Sequence, residues 1–113
     1  MLIITNQSNS YIRIGTYIGD FKNGEKHGKG ILNMNCGDSY NGDWKAGMKH
    51  GQGVMKNKSE DVYTGSWKNN QQNGEGILNF KNGDVYKGLW LNGLQDGEGV
   101  LTRVDGCTLE GIW

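Results

Sequence analysis

The chain has 113 residues, the length of a single domain, and its 12 basic and 12 acidic side chains leave a formal net charge of zero. This neutrality argues against a nucleic-acid-binding protein, which normally carries a clear basic excess. Twenty glycines and no proline argue against a globule of packed helices, because glycine costs a helix about 1 kcal/mol relative to alanine. Four Trp, five Tyr and two Phe at regular spacing argue against a disordered chain.

No segment has the composition of a targeting signal or a membrane-spanning helix. The apolar opening at 1–4 (MLII) is shorter than the apolar core of a signal peptide, which takes about 7–15 residues. No run approaches the ~18 apolar residues of a transmembrane helix. The two cysteines, Cys36 and Cys107, are too few for a disulfide framework. We therefore expect a cytoplasmic chain with free thiols.

Residues 1–16 precede a repeating pattern and are predicted to cap its first unit. Residues 2–4 and 11–14 favour strands, and the turn-rich run 6–10 separates them. A hairpin or a single covering strand is expected here.

From residue 17 onward, a Tyr-x-Gly-x-aromatic pattern recurs every 23 residues without insertion or deletion. A fixed period between about 20 and 50 residues is the mark of a repeat array. The units are 17–39, 40–62, 63–85 and 86–108, followed by a partial fifth unit at 109–113 in which Leu109 replaces the tyrosine.

Each unit is predicted to be a hairpin. Tyr, Gly and the aromatic residue alternate, which places all three on one face of a strand. A glycine-containing turn run follows, as at 23–28 and 46–51, and a return strand then begins with glycine and two apolar residues, as at 30–32. Because one hairpin is not stable alone, the sequence predicts an all-β protein, an elongated single-layer antiparallel sheet of consecutive 23-residue hairpins.

The run from Tyr40 to Gly53 resembles the MORN (membrane occupation and recognition nexus) repeat, since it contains the full pattern Tyr-x-Gly-x-Trp-x-x-Gly-x-x-His-Gly-x-Gly. The resemblance covers residues 17–113. It implies a non-catalytic scaffold that binds partner proteins or helices in an aromatic-lined groove, dimerises, or lies beside membranes in cytoskeletal, ciliary or junctional proteins. Such repeats also accompany larger enzymes, so a regulatory repeat domain is an alternative. The departures from the pattern are Phe21 for Trp, Asn70 and Glu60 for Gly, and Asn73 and Asp96 for His.

The sequence offers no catalytic residue, no metal site and no cofactor site. His27 and His50 hold the same place in adjacent repeats and are expected ~10 Å apart, too far to share a zinc ion. Asn73 and Asp96 take that place later, which favours a short polar side chain in a turn. No separate set of nucleophile, base and orienting group is present.

Two surfaces remain as candidate binding sites. The first is a row of rings on one face of the sheet, which we expect to stay partly exposed and to bind a helix or an extended segment of a partner protein. The second is a ladder of lysines on the other face, which would meet anionic lipid head groups, although zero net charge favours a merely solvated face. The ring row comprises Tyr40, Trp44, Tyr63, Trp67, Tyr86 and Trp90, and the ladder comprises Lys22, Lys45 and Lys68.

The last strand, at 109–113, lacks a return strand and is expected to leave an open sheet edge, which a second copy of the chain, a partner or a longer parent protein would complete. The two cysteines are predicted not to pair within one chain. Six strands separate them, which corresponds to ~29 Å, whereas a disulfide requires Cα atoms within roughly 7 Å.

Overall fold

The computed structural model describes residues 2–5 and 13–113, and this part of the chain forms one antiparallel sheet of ten strands. The strands follow one another across the sheet in sequence order, and the sheet is elongated, with principal extents of 49 × 24 × 22 Å. The predicted all-β, single-layer array of hairpins is therefore confirmed. The strands are β1 (Leu2–Thr5), β2 (Arg13–Lys22), β3 (Glu25–Met34), β4 (Ser39–Lys45), β5 (Met48–Lys56), β6 (Val62–Lys68), β7 (Gln71–Asn79), β8 (Val85–Leu91), β9 (Leu94–Thr102) and β10 (Thr108–Ile112).

The N-terminal segment contributes an edge strand. β1 pairs antiparallel with β2, with Leu2 opposite Tyr17, and lies at one end of the strand order. β2 begins at Arg13 and so runs across the boundary expected at residue 16. The predicted turn at 6–10 and the strand residues 11 and 12 lie outside the described residues.

The hairpins within the repeats close with two-residue turns in which both residues have positive φ, as in type I′ turns. The twist of such turns matches the twist of the flanking strands. Asn70, which stands in place of glycine, has a φ of 71°, close to the 80° of Gly47, so the third turn keeps the shape of the second. The six-residue turn run expected from the sequence is wrong, because the strands resume after two residues and place His27 and His50 within β3 and β5.

A bulge shifts the register of each return strand, and a glycine with positive φ marks it. At Gly51 φ is 67°, and a Cβ there would lie only 2.6 Å from an Asp43 carboxylate oxygen. The left-handed conformation therefore favours glycine at this position, and any other side chain would also have to displace the Asp43 carboxylate. As a result of the bulge, Trp44 lies between Gly28 of one neighbouring strand and Lys49 of the other.

The register divides the side chains between two faces, because residues directly opposite each other in adjacent strands share a face. Tyr40 lies opposite Leu32 and Met55, which defines the ring face. Asn41 lies opposite Ile31 and Val54, which defines the open face. In each repeat, the two glycines of the paired strands also lie opposite each other on the ring face.

The core lies entirely on the ring face. A Cβ on Gly53 would overlap the hydroxyl of Tyr40, so the ring covers the space that the glycine leaves free. The Tyr40 hydroxyl donates a hydrogen bond of 2.9 Å to the carbonyl of Asp43, which fixes the ring in this position. The tyrosines and tryptophans of successive repeats thus form one continuous core, made of Tyr17, Tyr40, Trp44, Tyr63, Trp67, Tyr86 and Trp90.

Candidate functional site

The six rings predicted to contact a partner are core residues. Tyr40, Trp44, Tyr63, Trp67, Tyr86 and Trp90 are only 1–6% exposed. Neighbouring rings meet edge to face with centroids 5.0–5.6 Å apart, so each ring covers the next. The expected partial exposure of this row is therefore wrong. Contact of these six residues with a partner stays a prediction, and it would require the side chains above the rings to move first.

Two lysines of the first two repeats, Lys26 and Lys49, cover rings of the first three repeats. The Lys26 ammonium lies 5.2 Å from the centroid of the Trp44 ring, and the Lys49 ammonium lies 5.6 Å from the centroids of Tyr40 and Trp67. A cation over an aromatic face is attracted by the ring quadrupole. Burial lowers the pKa of Lys49, and the charge of Lys26 lowers it further. Lys26 and Lys49 lie on the ring face by alternation with the strand glycines, and the two extra residues of the bulge place Lys49 opposite Trp44. The turns predicted at 23–28 and 46–51 concealed this, because they left both lysines outside a strand.

Backbone carbonyls accept hydrogen bonds from the indole nitrogens of two core tryptophans, Trp44 and Trp67. Trp44 Nε1 donates to the carbonyl of Gly30 at 3.1 Å, and Trp67 Nε1 donates to that of Gly53 at 3.2 Å. Trp90 Nε1 is buried and has no acceptor among the described residues. Burial also raises the pKa of Tyr63 to about 12, so the hydroxyl stays protonated as a donor at neutral pH.

The open face contains a groove that crosses the third and fourth repeats, with a volume of about 610 Å³. Thr64, Ile77 and Lys87 lie along its centre, since they are opposite one another in β6, β7 and β8. Glu75 and Leu89 flank this line on the hairpin-turn side. This groove therefore lies on the face opposite the rings.

An apolar row runs along the whole open face and continues the floor of the groove. Ile18, Ile31 and Val54 are 50%, 37% and 40% exposed, and the row continues through the half-buried Ile77 and Val100. The sequence contained a signal for this row, since an aliphatic residue follows the second glycine in every repeat. The sequence predicts these residues in the return strands, and the cross-strand register adds the face on which they lie.

The lysine ladder lies at the hairpin ends of the open face. Lys22, Lys45 and Lys68 are exposed and have no ion pair among the described residues. The fourth repeat carries exposed leucines instead, with Leu91 opposite Leu94.

Asp43 does not neutralise the ladder, because its carboxylate is already engaged. It forms an ion pair with Lys29 and accepts a hydrogen bond of 2.9 Å from the amide of Gln52 in the bulge. The Lys29 side chain, followed by the Gln52 amide, holds the pKa of Asp43 below its usual range. The Asp20 carboxylate accepts the amide of Lys29 in the same way, at 3.3 Å.

The two histidines face the same shallow surface as these carboxylates, at the hairpin ends of the first two repeats. Within residues 2–5 and 13–113, no three His, Cys, Asp or Glu side chains come together in a group that could hold a metal ion. Cys36 and Cys107 are free and exposed. No helix capable of crossing a membrane occurs in the described part of the chain.

The C-terminal end continues the ring row without closing it. Trp113 packs edge to face on Tyr86, with centroids 5.2 Å apart, and exchanges backbone hydrogen bonds with Gly97. Its side chain nevertheless remains 41% exposed. In the described structure β10 pairs with β9 alone, so its outer edge carries unpaired backbone groups.

A comparison with known protein families matches the MORN repeat to four segments of the chain, residues 17–33, 40–62, 63–85 and 86–108. These segments cover most of the sequence and coincide with the hairpin units of β2 to β9. No curated protein matches the chain.

Proposed function

The chain belongs to the MORN repeat family, and from that premise we propose that it is a non-catalytic module that binds a protein partner on its open face. One observation carries the proposal: the groove and the exposed aliphatic row lie together on this face, whereas the rings on the other face are buried. Exposed aliphatic side chains aligned along one face, beside a groove, are typical of an interaction site. Aliphatic and polar side chains alternate along the row, so a partner segment lying across the strands would meet both kinds.

Partner capture with matched variants tests the proposed surface. Ile31→Asp combined with Val54→Asp places charges on the open face without touching the rings, and we expect it to abolish capture of a partner from the source cell while leaving the thermal melt nearly unchanged. Leu94→Asp is the control, because Leu94 is exposed at a hairpin turn outside the row. Capture that survives in the double variant would place the partner elsewhere.

The assembly in which this module works is part of the proposal. We propose a scaffold role in a cytoskeletal or ciliary assembly of the cytoplasm, as the family resemblance implies. Fluorescent tagging of the chain and of the Ile31→Asp, Val54→Asp variant tests it. Both proteins should be expressed equally, and only the unaltered chain should concentrate on microtubule or actin structures. A diffuse distribution of the unaltered chain would contradict this role.

A second candidate function is recognition of anionic phospholipid by Lys22, Lys45 and Lys68. The unpaired state of the three lysines in the described structure favours it, because nearby carboxylates are occupied by other partners. Changing all three to Gln should abolish sedimentation with vesicles containing phosphatidylserine. The control removes three exposed positive charges at the other ends of the strands, near the turns between repeats, and should leave sedimentation intact. These residues are Lys56, Lys58 and Arg103.

Self-association through β10 is a third interaction that we propose. Trp113 is far more exposed than the interior tryptophans, and a further strand against β10 would cover it. Light scattering during size-exclusion chromatography measures the association state, and hydrogen exchange measures protection of the amides at 109–113. Slow exchange of these amides in a dilute monomer would refute the proposal.

A further inference from the structure

We propose that the occupant of the open face is an amphipathic helix that crosses the strands, with one apolar residue per heptad and a basic flank over the third and fourth repeats. This inference rests on the proposed function, since it names the kind of partner that the same surface takes. Three features of the described residues lead to it: the spacing of the aliphatic row, the charges beside the groove, and the different pairing of those charges in the two halves of the array.

The spacing of the row fits a helix better than a strand. Ile31, Val54, Ile77 and Val100 lie in register on β3, β5, β7 and β9, so consecutive members are two strands apart. Two strand spacings amount to about 9.6 Å. Seven residues of an α-helix advance by about 10.5 Å, so a heptad repeat remains within ~3 Å of the row over its whole length. An extended segment places side chains on one face about every 6.8 Å and does not match the row.

The charges beside the groove specify the flank of this helix. Glu75 and Glu98 line the groove on its hairpin-turn side, and neither carboxylate has an ion pair among the described residues. They occupy the same place in β7 and β9, so they too are two strands apart. Lys or Arg residues at heptad spacing on one side of a helix would meet both. Lys87 projects into the same groove from β8 and would meet an acidic residue on the intervening turn.

The corresponding residues of the first half of the array do not require a basic flank on the partner helix. In the corresponding row, Lys29 is paired with Asp43, and the Gln52 amide donates a hydrogen bond of 2.8 Å to the Ser66 hydroxyl. These groups already satisfy one another, whereas neither Glu75 nor Glu98 has an ion pair among the described residues. The partner helix is therefore expected to be basic at one end, and this polarity fixes the direction in which it lies across the sheet.

Synthetic helices test the inference directly. Four stapled heptads with leucine at each row position would carry a lysine flank over the last two heptads, and a second peptide would carry glutamate there. Fluorescence anisotropy at low salt should give about tenfold tighter binding for the lysine peptide, and this difference should shrink as salt screens the charges. Glu75→Gln combined with Glu98→Gln should remove the difference, while Glu25→Gln, which lies at a hairpin end, should preserve it.

The outcomes separate this inference from the function on which it rests. Equal binding of the two peptides overturns the basic flank, and binding of an extended alternating peptide in preference to both helices overturns the helical occupant. If neither helix binds while native partner capture still depends on Ile31 and Val54, the helix is wrong and the protein-binding function stands. If the Ile31→Asp, Val54→Asp variant also keeps its native partner, both fail.

Discussion

The first two repeats and the last two share one backbone but cover it with different side chains. The first half carries Lys26 and Lys49 over aromatic rings, and glutamines hold the corresponding places in the second half. Asp20 and Asp43 accept bulge amides in the first half, where Ser66 and Leu89 stand in the second. The Tyr, Gly and aromatic positions keep the same pairing throughout, so these positions determine the fold, and the residues between them determine the surface of each half.

This comparison predicts the largest effects where a ring has neighbours on both sides. Trp67→Ala should cost about 3–5 kcal/mol, because the ring is buried between Tyr40 and Tyr63. Trp113→Ala should cost roughly 1 kcal/mol, because this ring packs on Tyr86 alone and is partly exposed. Urea unfolding of the two variants measures the difference. Similar losses of stability would contradict the view that rings are stabilised mainly by their two neighbours.

The fold was predictable because a strict period combined with alternation leaves few arrangements. Tyr40, Gly42 and Trp44 alternate within one strand, and the 23-residue period repeats that strand in register. The candidate site was not predictable in the same way, because burial depends on where the bulge falls. The sequence gives Gly51 the appearance of a loop glycine, whereas it sits inside β5 and places Lys49 above the rings.

Glycine also concealed the extent of burial. A single-layer sheet was expected to leave part of its ring row at the surface. The glycines at positions 42 and 53 instead let the Tyr40 ring lie against the backbone, where Trp44 and Trp67 close both sides. In this sheet the more exposed face is therefore the one with the smaller aliphatic side chains. Identifying that face requires the cross-strand register.

A second pair of variants sharpens the comparison at the tryptophan nitrogen. Trp44→Phe should cost about 1 kcal/mol more than Trp90→Phe, because Trp44 loses a hydrogen bond to Gly30, whereas Trp90 has no acceptor to lose among the described residues. Both changes remove a similar volume, so the loss of packing largely cancels. Thermal and urea unfolding in parallel give this difference. An equal loss in both variants would mean that the indole N–H contributes nothing in either half.

The carboxylate at the bulge makes the first half sensitive to acid. The lowered pKa of Asp43 means that its ionised form is stabilised in the folded state. This contribution is fully present above the ordinary pKa near 3.8 and is lost as pH falls through the lower folded value. Asp43→Asn should therefore cost up to about 1 kcal/mol at pH 7 and less at pH 3. Ser66→Ala, the corresponding change in the third repeat, should show no such dependence on pH.

The turn between the second and third repeats offers the smallest effect, and it is a gain in stability. Glu60 has a φ of 68°, in the left-handed region that glycine occupies in the equivalent turns at Gly37 and Gly83. A side chain in this region costs roughly 1–2 kcal/mol relative to glycine. The ion pair of Glu60 with Lys81, at 3.1 Å, is exposed and recovers only a fraction of that.

Glu60→Gly should therefore raise the free energy of unfolding by about 0.5–1 kcal/mol, after the greater flexibility of glycine in the unfolded chain is subtracted. Glu60→Gln separates the two contributions, because it removes the ion pair and keeps the side chain in the left-handed region. It should be neutral or slightly destabilising. Gly83→Glu, the reverse change one repeat later, should destabilise. A loss of stability in Glu60→Gly would show that the Lys81 contact outweighs the backbone conformation, and that this junction differs from its neighbours by more than one residue.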